Sequence, residues 1–251
     1  MPFGYVPHQN SWKNLILKVL GHPNLIRRIQ APVLMRMLET KKDDIILDAG
    51  CGSGFFSYEI AKRCKTAVGI DWNLNISRSS WAMRKQPNVA YVIGDVQKLP
   101  FADEKFDKIL LSSVLQMVED DETLLKECHR VLKKKGTLVL SVIEYIHIKR
   151  LNYYKSQLKE KFGARGKAYY DYDEVIGLLQ GNGFEIIEVE YSPKKWGSLI
   201  FESYLFLWYR FNFPSFSPLL FPLLYPIAYF DKFANNRQKG NELIIKAKKV
   251  N

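Results

Sequence analysis

Apolar positions along this chain fall into two rhythms that alternate from residue 45 onward. Short continuous apolar runs bounded by turn residues read as buried strands. The stretches between them repeat apolar side chains every three or four residues, the period of a helix packed along one face. Strands are expected over residues 45–49, 66–70, 89–93, 108–111 and 137–142. Helices fall between them, over 55–65 and over 122–132, where Leu124, Leu125, Cys128 and Leu132 share a face. A helix over 171–180 leads to two last strands, 184–190 and 242–248. These read as a pair interrupted by roughly fifty residues, far above the usual connection length. Strands alternating with helices predict an α/β fold with a parallel sheet.

Ahead of this core, residues 11–39 read as helical. Trp12, Leu15, Ile16, Val19 and Leu20 keep helix spacing up to a break at Gly21-His22-Pro23. A second helical stretch follows, with Pro32 early and Val33, Leu34, Met37 and Leu38 apolar. Such a leader either covers a ligand pocket or packs on the sheet edge, and the residues leave both open. The expected organisation is an N-terminal helical cap (1–40), a core (41–191), an aromatic and proline-rich insertion (192–240) and a last core strand (241–251).

The candidate chemistry starts where the first strand runs out. Ile45-Ile46-Leu47-Asp48-Ala49 feeds Gly50-Cys51-Gly52-Ser53-Gly54, and a helix begins at once. Glycines at a strand–helix junction let backbone N–H groups approach a ligand closely. The dinucleotide fingerprint needs G-x-G-x-x-G, and here the third glycine comes one residue early, with Phe at position 55. The second strand ends Val68-Gly69-Ile70-Asp71. An acidic residue about twenty positions past such a loop can accept both ribose hydroxyls. The third strand leads to Gly94-Asp95-Val96, where a carboxylate faces the ligand crevice and can accept from an exocyclic amine.

The glycine spacing, with Asp48 two residues before it, resembles motif I of the class I S-adenosylmethionine (SAM) methyltransferases. Phe106-Asp107, Ser112-Ser113-Val114-Leu115-Gln116 and the run from Glu127 to Gly136 continue the pattern. Residues 46–142 thus resemble the methyltransferase domain of the large family that includes the ubiquinone and menaquinone methyltransferases. The resemblance implies a Rossmann-like class I methyltransferase fold. Its sheet would be seven-stranded and mostly parallel, with helices on both faces and the hydrophobic insertion before the last strand.

It also implies S-adenosyl-L-methionine as cofactor, with no metal. Asp48, Gly50, Cys51, Gly52 and Gly54 would face its methionine part. Asp71 would hold the ribose, Trp72 would lie along the adenine, and Asp95 with the Val96 backbone would read the adenine edge. Ser113 would sit near the transferred methyl. Two departures stand out. Lys134-Lys135-Gly136 replaces the common Pro-Gly-Gly of a surface turn. Gln116 and Met117 stand where the family often has histidine, so a histidine base is not available there.

Methyl transfer is an in-line displacement in which positioning supplies much of the rate, and a carbon or oxygen acceptor can need a base. The histidines are His8, His22, His129 and His147. His129, beside Arg130 on a helix, reads as surface. His147 follows the fifth strand and is placed to overhang the pocket. It is the candidate base, and Ser113 is the second catalytic candidate.

Charge and composition bear on the acceptor. Lys+Arg 37 against Asp+Glu 26 gives a net +11 over 251 residues. Such a balance suits an anionic membrane surface or a nucleic acid, and equally a solvated lysine-rich surface. Three cysteines without C-x-x-C spacing support neither a disulfide framework nor a zinc site, so a reduced, cytoplasmic setting is expected. Lys13 and Lys18 interrupt any secretory signal pattern.

Residues 211–230 carry no charge and are rich in Phe, Leu and Tyr. Pro214, Pro218, Pro222 and Pro226 each remove a helix hydrogen bond, which argues against a lipid-exposed spanning helix. An interfacial platform is expected instead, flanked by Lys194, Lys195, Arg210, Lys232, Arg237 and Lys239. It would meet the inner face of a membrane through residues 194–239 and admit a lipid-like acceptor. A lid or a dimer interface is the other reading, and the oligomeric state stays open.

The expected function is SAM-dependent methyl transfer to a hydrophobic, membrane-associated acceptor such as a prenylated quinone or a lipid intermediate. An RNA methyltransferase is the competing enzyme. Against it, the basic residues are scattered, and no Asn-Pro-Pro-Tyr or catalytic cysteine pair follows the fourth strand. A non-catalytic SAM-binding or partner-binding protein on the same fold is the third reading.

Overall fold

The computed structural model describes residues 25–72, 86–144, 166, 167, 169–194, 197, 198, 200, 240 and 242–250. In chain order the elements are α1 (Leu25–Leu38), β1 (Ile45–Ala49), α2 (Phe55–Ala61), β2 (Thr66–Asp71), β3 (Val89–Ile93) and β4 (Phe106–Ser112). A 3₁₀ turn at Leu115–Met117 precedes α3 (Asp121–Val131) and β5 (Leu132–Ile143). Then come α4 (Tyr172–Gly181), β6 (Phe184–Tyr191) and β7 (Glu242–Lys249). The strands form one seven-stranded sheet in the order β3-β2-β1-β4-β5-β7-β6. Strands β1 to β5 pair in parallel, and β7 runs antiparallel between β5 and β6. This is the Rossmann-like class I methyltransferase architecture.

The pleat sorts the core. Ile46, Leu110, Val139 and Ile244 point to one face, where Leu34, Met37 and Leu38 of α1 and Phe56 and Ile60 of α2 cover them. Their chain neighbours Leu47, Ile109, Leu111, Leu138, Leu140 and Ile245 point to the other, under α3 and α4. Apolar side chains on both faces explain why the central strands read as unbroken hydrophobic runs. Local signals close the helices. The Asp120 carboxylate caps α3 by accepting from the Thr123 N–H at 2.9 Å, with Asp121 and Glu122 in its first turn. Asp171 and Glu174 form a capping box on α4.

The strands and helices expected among the described residues are present, with shifted ends. The largest shift is in β5, which begins at Leu132 rather than near residue 137. Phe106 pairs with Leu132 and Lys108 with Thr137, so the segment Lys133 to Gly136 bulges opposite one residue of β4. Lys135 takes a positive φ of 59° there. The expected surface turn is therefore a bulge inside a strand. Helix α1 packs against β5 and β7, which lie inside the sheet, so it covers a face and not an edge.

Lys194 needs correcting. As a flank of an interfacial platform it would face outward, but it is buried and its Nζ lies 3.1 Å from the Glu190 carboxylate. Its neighbours in that reading, Lys195, Arg210, Lys232, Arg237 and Lys239, lie outside the described residues, as do the aromatic stretch 211–230, the helix expected over 11–20 and His147. Among the described residues no helix is long and apolar enough to cross a membrane.

Candidate active site

At the carboxyl end of β1 the chain turns back under β2. The Gly50 and Cys51 N–H groups both donate to the Ile70 carbonyl, at 2.8 and 3.0 Å. Gly50 and Gly54 have φ of 74° and 76°, a region costly for residues with a Cβ. Space forbids side chains at both positions as well. A Cβ on Gly50 would stand 2.5 Å from Val114 Cγ2, and one on Gly54 2.7 Å from the Tyr91 hydroxyl. The loop is wedged between the segment after β4 and strand β3. Gly52 differs, because a Cβ there would meet nothing within 4 Å. It marks the open side of the loop. Its N–H donates to Asp71 Oδ2 at 2.8 Å, tying the loop to the end of β2.

Asp48 lies beneath the loop, 1% exposed, and accepts from the Ser57 hydroxyl at 2.6 Å. Burial pushes its pKa up to about 6, against the opposing pull of the Ser57 bond and the Arg27 charge. The Cys51 thiol is pushed up by burial and by the charges of Asp48 and Asp71, which leaves it a packing group without nucleophilic character.

Arg27 reaches this region from α1. Its side chain is half-buried, and its guanidinium donates to Ser112 Oγ and, at 3.3 Å, to Ser113 Oγ, while lying 5.6 Å from the Phe56 ring centre. Burial lowers its pKa, and Glu242 and Asp48 oppose that. One turn along α1, Gln30 donates to the Glu242 carboxylate. Sequence reasoning missed both residues. The signal was there: Arg27 and Gln30 are polar at helix spacing on a segment whose later turns are core.

Ser113 sits where β4, β5 and α1 meet. Its N–H donates to the Ser141 carbonyl and hydroxyl, both at 3.1 Å, and its φ is 57°. Trp72, next after Asp71, is 65% exposed. Asp95 is exposed at the end of β3, and its Oδ1 accepts from the Gln97 N–H at 2.9 Å, while Val96 is buried.

The structure thus brings Asp48, Gly50, Cys51, Gly52, Gly54, Asp71 and Ser113 together on the carboxyl edge of β1, β2 and β4. Trp72, Asp95 and Val96 follow along the same edge. His129 is elsewhere. It stacks edge-on against Phe184 at 5.5 Å, and burial and then the Lys249 charge lower its pKa. It was read as surface and is half-buried. Among the described residues no cluster of His, Cys, Asp and Glu could hold a metal.

What the edge offers is an open run of loop backbone, a carboxylate one strand over, an exposed indole and a second carboxylate one strand further. That is a donor and acceptor set for an elongated ligand with a sugar and an aromatic base.

Residues 47–140 match the Methyltransf_11 family, described as a methyltransferase domain. Over 118 residues the chain is 29% identical to a malonyl-[acyl-carrier protein] O-methyltransferase of Hamiltonella defensa, covering 47% of this chain and 45% of that protein. The match thus spans about half the length of that relative. Over 179 residues it is 28% identical to a ubiquinone biosynthesis O-methyltransferase of Coxiella burnetii, covering 65% of this chain and 76% of that protein. The crystal structure of an S-adenosylmethionine dependent methyltransferase from Mesorhizobium loti superposes with a TM-score of 0.65 at 19% identity, covering 90% of this chain and 100% of that one. At that identity the likeness shows the shared fold.

Proposed function

From a chain whose residues 47–140 are a class I methyltransferase domain, we propose an enzyme that moves a methyl group from S-adenosylmethionine to a hydrophobic, membrane-associated acceptor. The observation that carries the cofactor half is the Gly52–Asp71 hydrogen bond at 2.8 Å. It ties the glycine loop to the carboxylate at the end of β2, which supports the reading that Asp71 holds the ribose. Gly50 and Gly54 leave no room for side chains, so the loop presents backbone to the ligand.

In this reading the loop from Gly50 to Gly54 faces the methionine part, with Asp48 beneath it and Arg27 beside Ser113 as the cation on that side. Asp71 holds the ribose, Trp72 covers the adenine, and Asp95 with the Val96 backbone reads its edge. When bound, S-adenosylmethionine supplies a sulfonium methyl carbon open to in-line attack. The residues of this chain orient that carbon and keep water away from it, and orientation of this kind is worth several orders of magnitude in rate. Ser113, held by Ser141 and Arg27, stands at the end of β4 where the acceptor approaches. His147 remains the candidate base should the acceptor atom carry a proton.

The choice of a hydrophobic acceptor is supported by the ubiquinone-pathway relative, the +11 charge and the uncharged aromatic stretch 211–230. A prenylated quinone or a lipid intermediate fits these together. The stretch would then form an insertion between β6 and β7 that meets an anionic leaflet, placing the protein at the inner face of the membrane. The test is incubation of the full chain with methyl-tritiated S-adenosylmethionine and a total lipid extract beside an aqueous metabolite extract. Label in the organic phase is the expected result. Label in the aqueous phase alone would remove the lipid acceptor, and label in neither would remove the enzyme.

A further inference from the structure

We propose that the Gln116 carboxamide reads the methyl acceptor, its Oε1 accepting a hydrogen bond from a hydroxyl or amide N–H that the acceptor carries beside the methylated atom. This rests on the methyltransferase reading above. Gln116 is 6% exposed, and its Oε1 is sealed from solvent and has no hydrogen-bond partner among the described residues. Buried side-chain oxygens nearly always have a partner, so an orphan in the turn that follows β4 beside the glycine loop calls for one that arrives with the ligand.

The surroundings place it. The turn Leu115–Met117 follows directly on Ser112 and Ser113 at the carboxyl end of β4. On one side Val114 fills the space above Gly50, so the turn lies against the glycine loop. On the other side the segment after residue 165 presses onto it. A Cβ on Gly166 would strike the Val118 carbonyl and stand 2.9 Å from the Leu115 carbonyl, and the Tyr170 hydroxyl donates to the Leu115 carbonyl at 3.3 Å and to Asp121 Oδ2 at 3.0 Å. Leu115 itself is in the core. Gln116 is the polar member of a turn clamped between the cofactor loop and a covering segment.

The cofactor groups Asp71, Trp72 and Asp95 occupy the ends of β2 and β3. In-line attack needs the acceptor on the far side of the methyl from the sulfur, and the side of β4 and β5, where Gln116 stands, is free of those cofactor groups. A carboxamide neither gains nor loses a proton near neutral pH, so its contribution is orientation and selection. An acceptor with a donor group satisfies Oε1. An analogue lacking the donor leaves it buried and unpaired, and such sites reject the analogue strongly.

The experiment compares the full chain with Gln116→Met, which keeps the length and removes the polar atoms, and Gln116→Glu, which keeps an accepting oxygen at the same reach. Three quantities are read: S-adenosylhomocysteine affinity by calorimetry, Tm, and tritium transfer to the two extracts. Gln116→Met is expected to bind S-adenosylhomocysteine like the native chain and to unfold at a higher temperature. Its transfer should fall roughly tenfold or more, the loss of a directional hydrogen bond. Gln116→Glu is expected to restore much of the transfer.

Native transfer rates in Gln116→Met overturn the proposal. So does a loss of S-adenosylhomocysteine affinity, which would assign the residue to the cofactor, and so does a lower Tm, which would mean that Oε1 is already satisfied. If the native chain labels neither extract, the methyltransferase reading itself has failed. Equal transfer by native and Gln116→Met overturns this inference alone.

Discussion

The N–H of Gly52 points at Oδ2 of Asp71 from 2.8 Å, a side-chain bond that adds to the two backbone bonds from Gly50 and Cys51 to Ile70 in joining the glycine loop after β1 to the end of β2. A hydrogen bond to a charged group contributes about 1.5–3 kcal/mol, and removing the carboxylate also leaves a loop amide unpaired. Asp71→Ala is therefore expected to lower stability by about 1–3 kcal/mol and to speed hydrogen exchange at Gly52. Asp71→Asn, which retains an accepting oxygen, should lose less. Denaturant unfolding and amide exchange read both.

Gly50 is held by conformation and by space together. Gly50→Ala would place a Cβ 2.5 Å from Val114 Cγ2 at a φ of 74°. We expect a loss of about 1–3 kcal/mol. Adding Val114→Ala should recover only the steric share, since the backbone strain remains. Gly177 is the contrast: it lies within α4, and a Cβ there would meet nothing within 4 Å. Gly177→Ala should stabilise by about 0.5–1 kcal/mol, which thermal unfolding of the variants would show.

Asp48 gives a pH dependence of unusual sign for a carboxylate. Its folded pKa of about 6 lies above the ordinary aspartate value of 3.8, because burial disfavours the charged form. Between those values the folded state holds a proton that the unfolded chain has released. The stabilising contribution of this group is complete below the lower value and is lost as pH rises through the upper one. The cost of keeping Asp48 ionised at neutral pH is on the order of 2–3 kcal/mol. Asp48→Asn, which still accepts from Ser57, should be more stable than the native chain at pH 7. That advantage should shrink as pH falls from about 6 toward 4. Urea unfolding across that range measures it.

How much of this was legible beforehand follows from range along the chain. Ile45 to Gly54 carries its whole message locally: an apolar run, then glycines whose spacing fits one kind of loop. The strand ends Asp71 and Asp95 were legible because a parallel sheet sends every carboxyl end to one edge. Arg27 was not, because its meaning depends on Ser112 and Ser113, eighty-five and eighty-six residues away, and on Glu242 beyond them. Lys194 misled for a different reason. As a lysine beside a proline it reads as solvated, although Glu190 lies only four residues away and the pair they form at 3.1 Å is buried. The β5 bulge was hidden because Lys133 to Gly136 has the composition of a surface turn, and the pairing of Leu132 with Phe106 is what turns it into a strand.

The Arg27 cation predicts a coupling. Arg27→Met removes the positive charge that faces Asp48 and Glu242 together with the donor to Ser112 and Ser113, and is expected to cost about 1–3 kcal/mol. Glu242→Gln alone should also destabilise, and it would leave the Gln30 contact an accepting oxygen. The double variant Arg27→Met with Glu242→Gln should cost clearly less than the two single costs added, which a double-mutant cycle would show.

The central claim is that the loop from Gly50 to Gly54 and the Asp71 carboxylate together hold S-adenosylmethionine. Calorimetric titration of the full chain with S-adenosylhomocysteine, the demethylated product, tests it most directly. The account predicts saturable one-to-one binding that Asp71→Ala weakens roughly tenfold or more, with the variant still folded by circular dichroism. Absence of binding by the native chain, or equal affinity in Asp71→Ala, would contradict it.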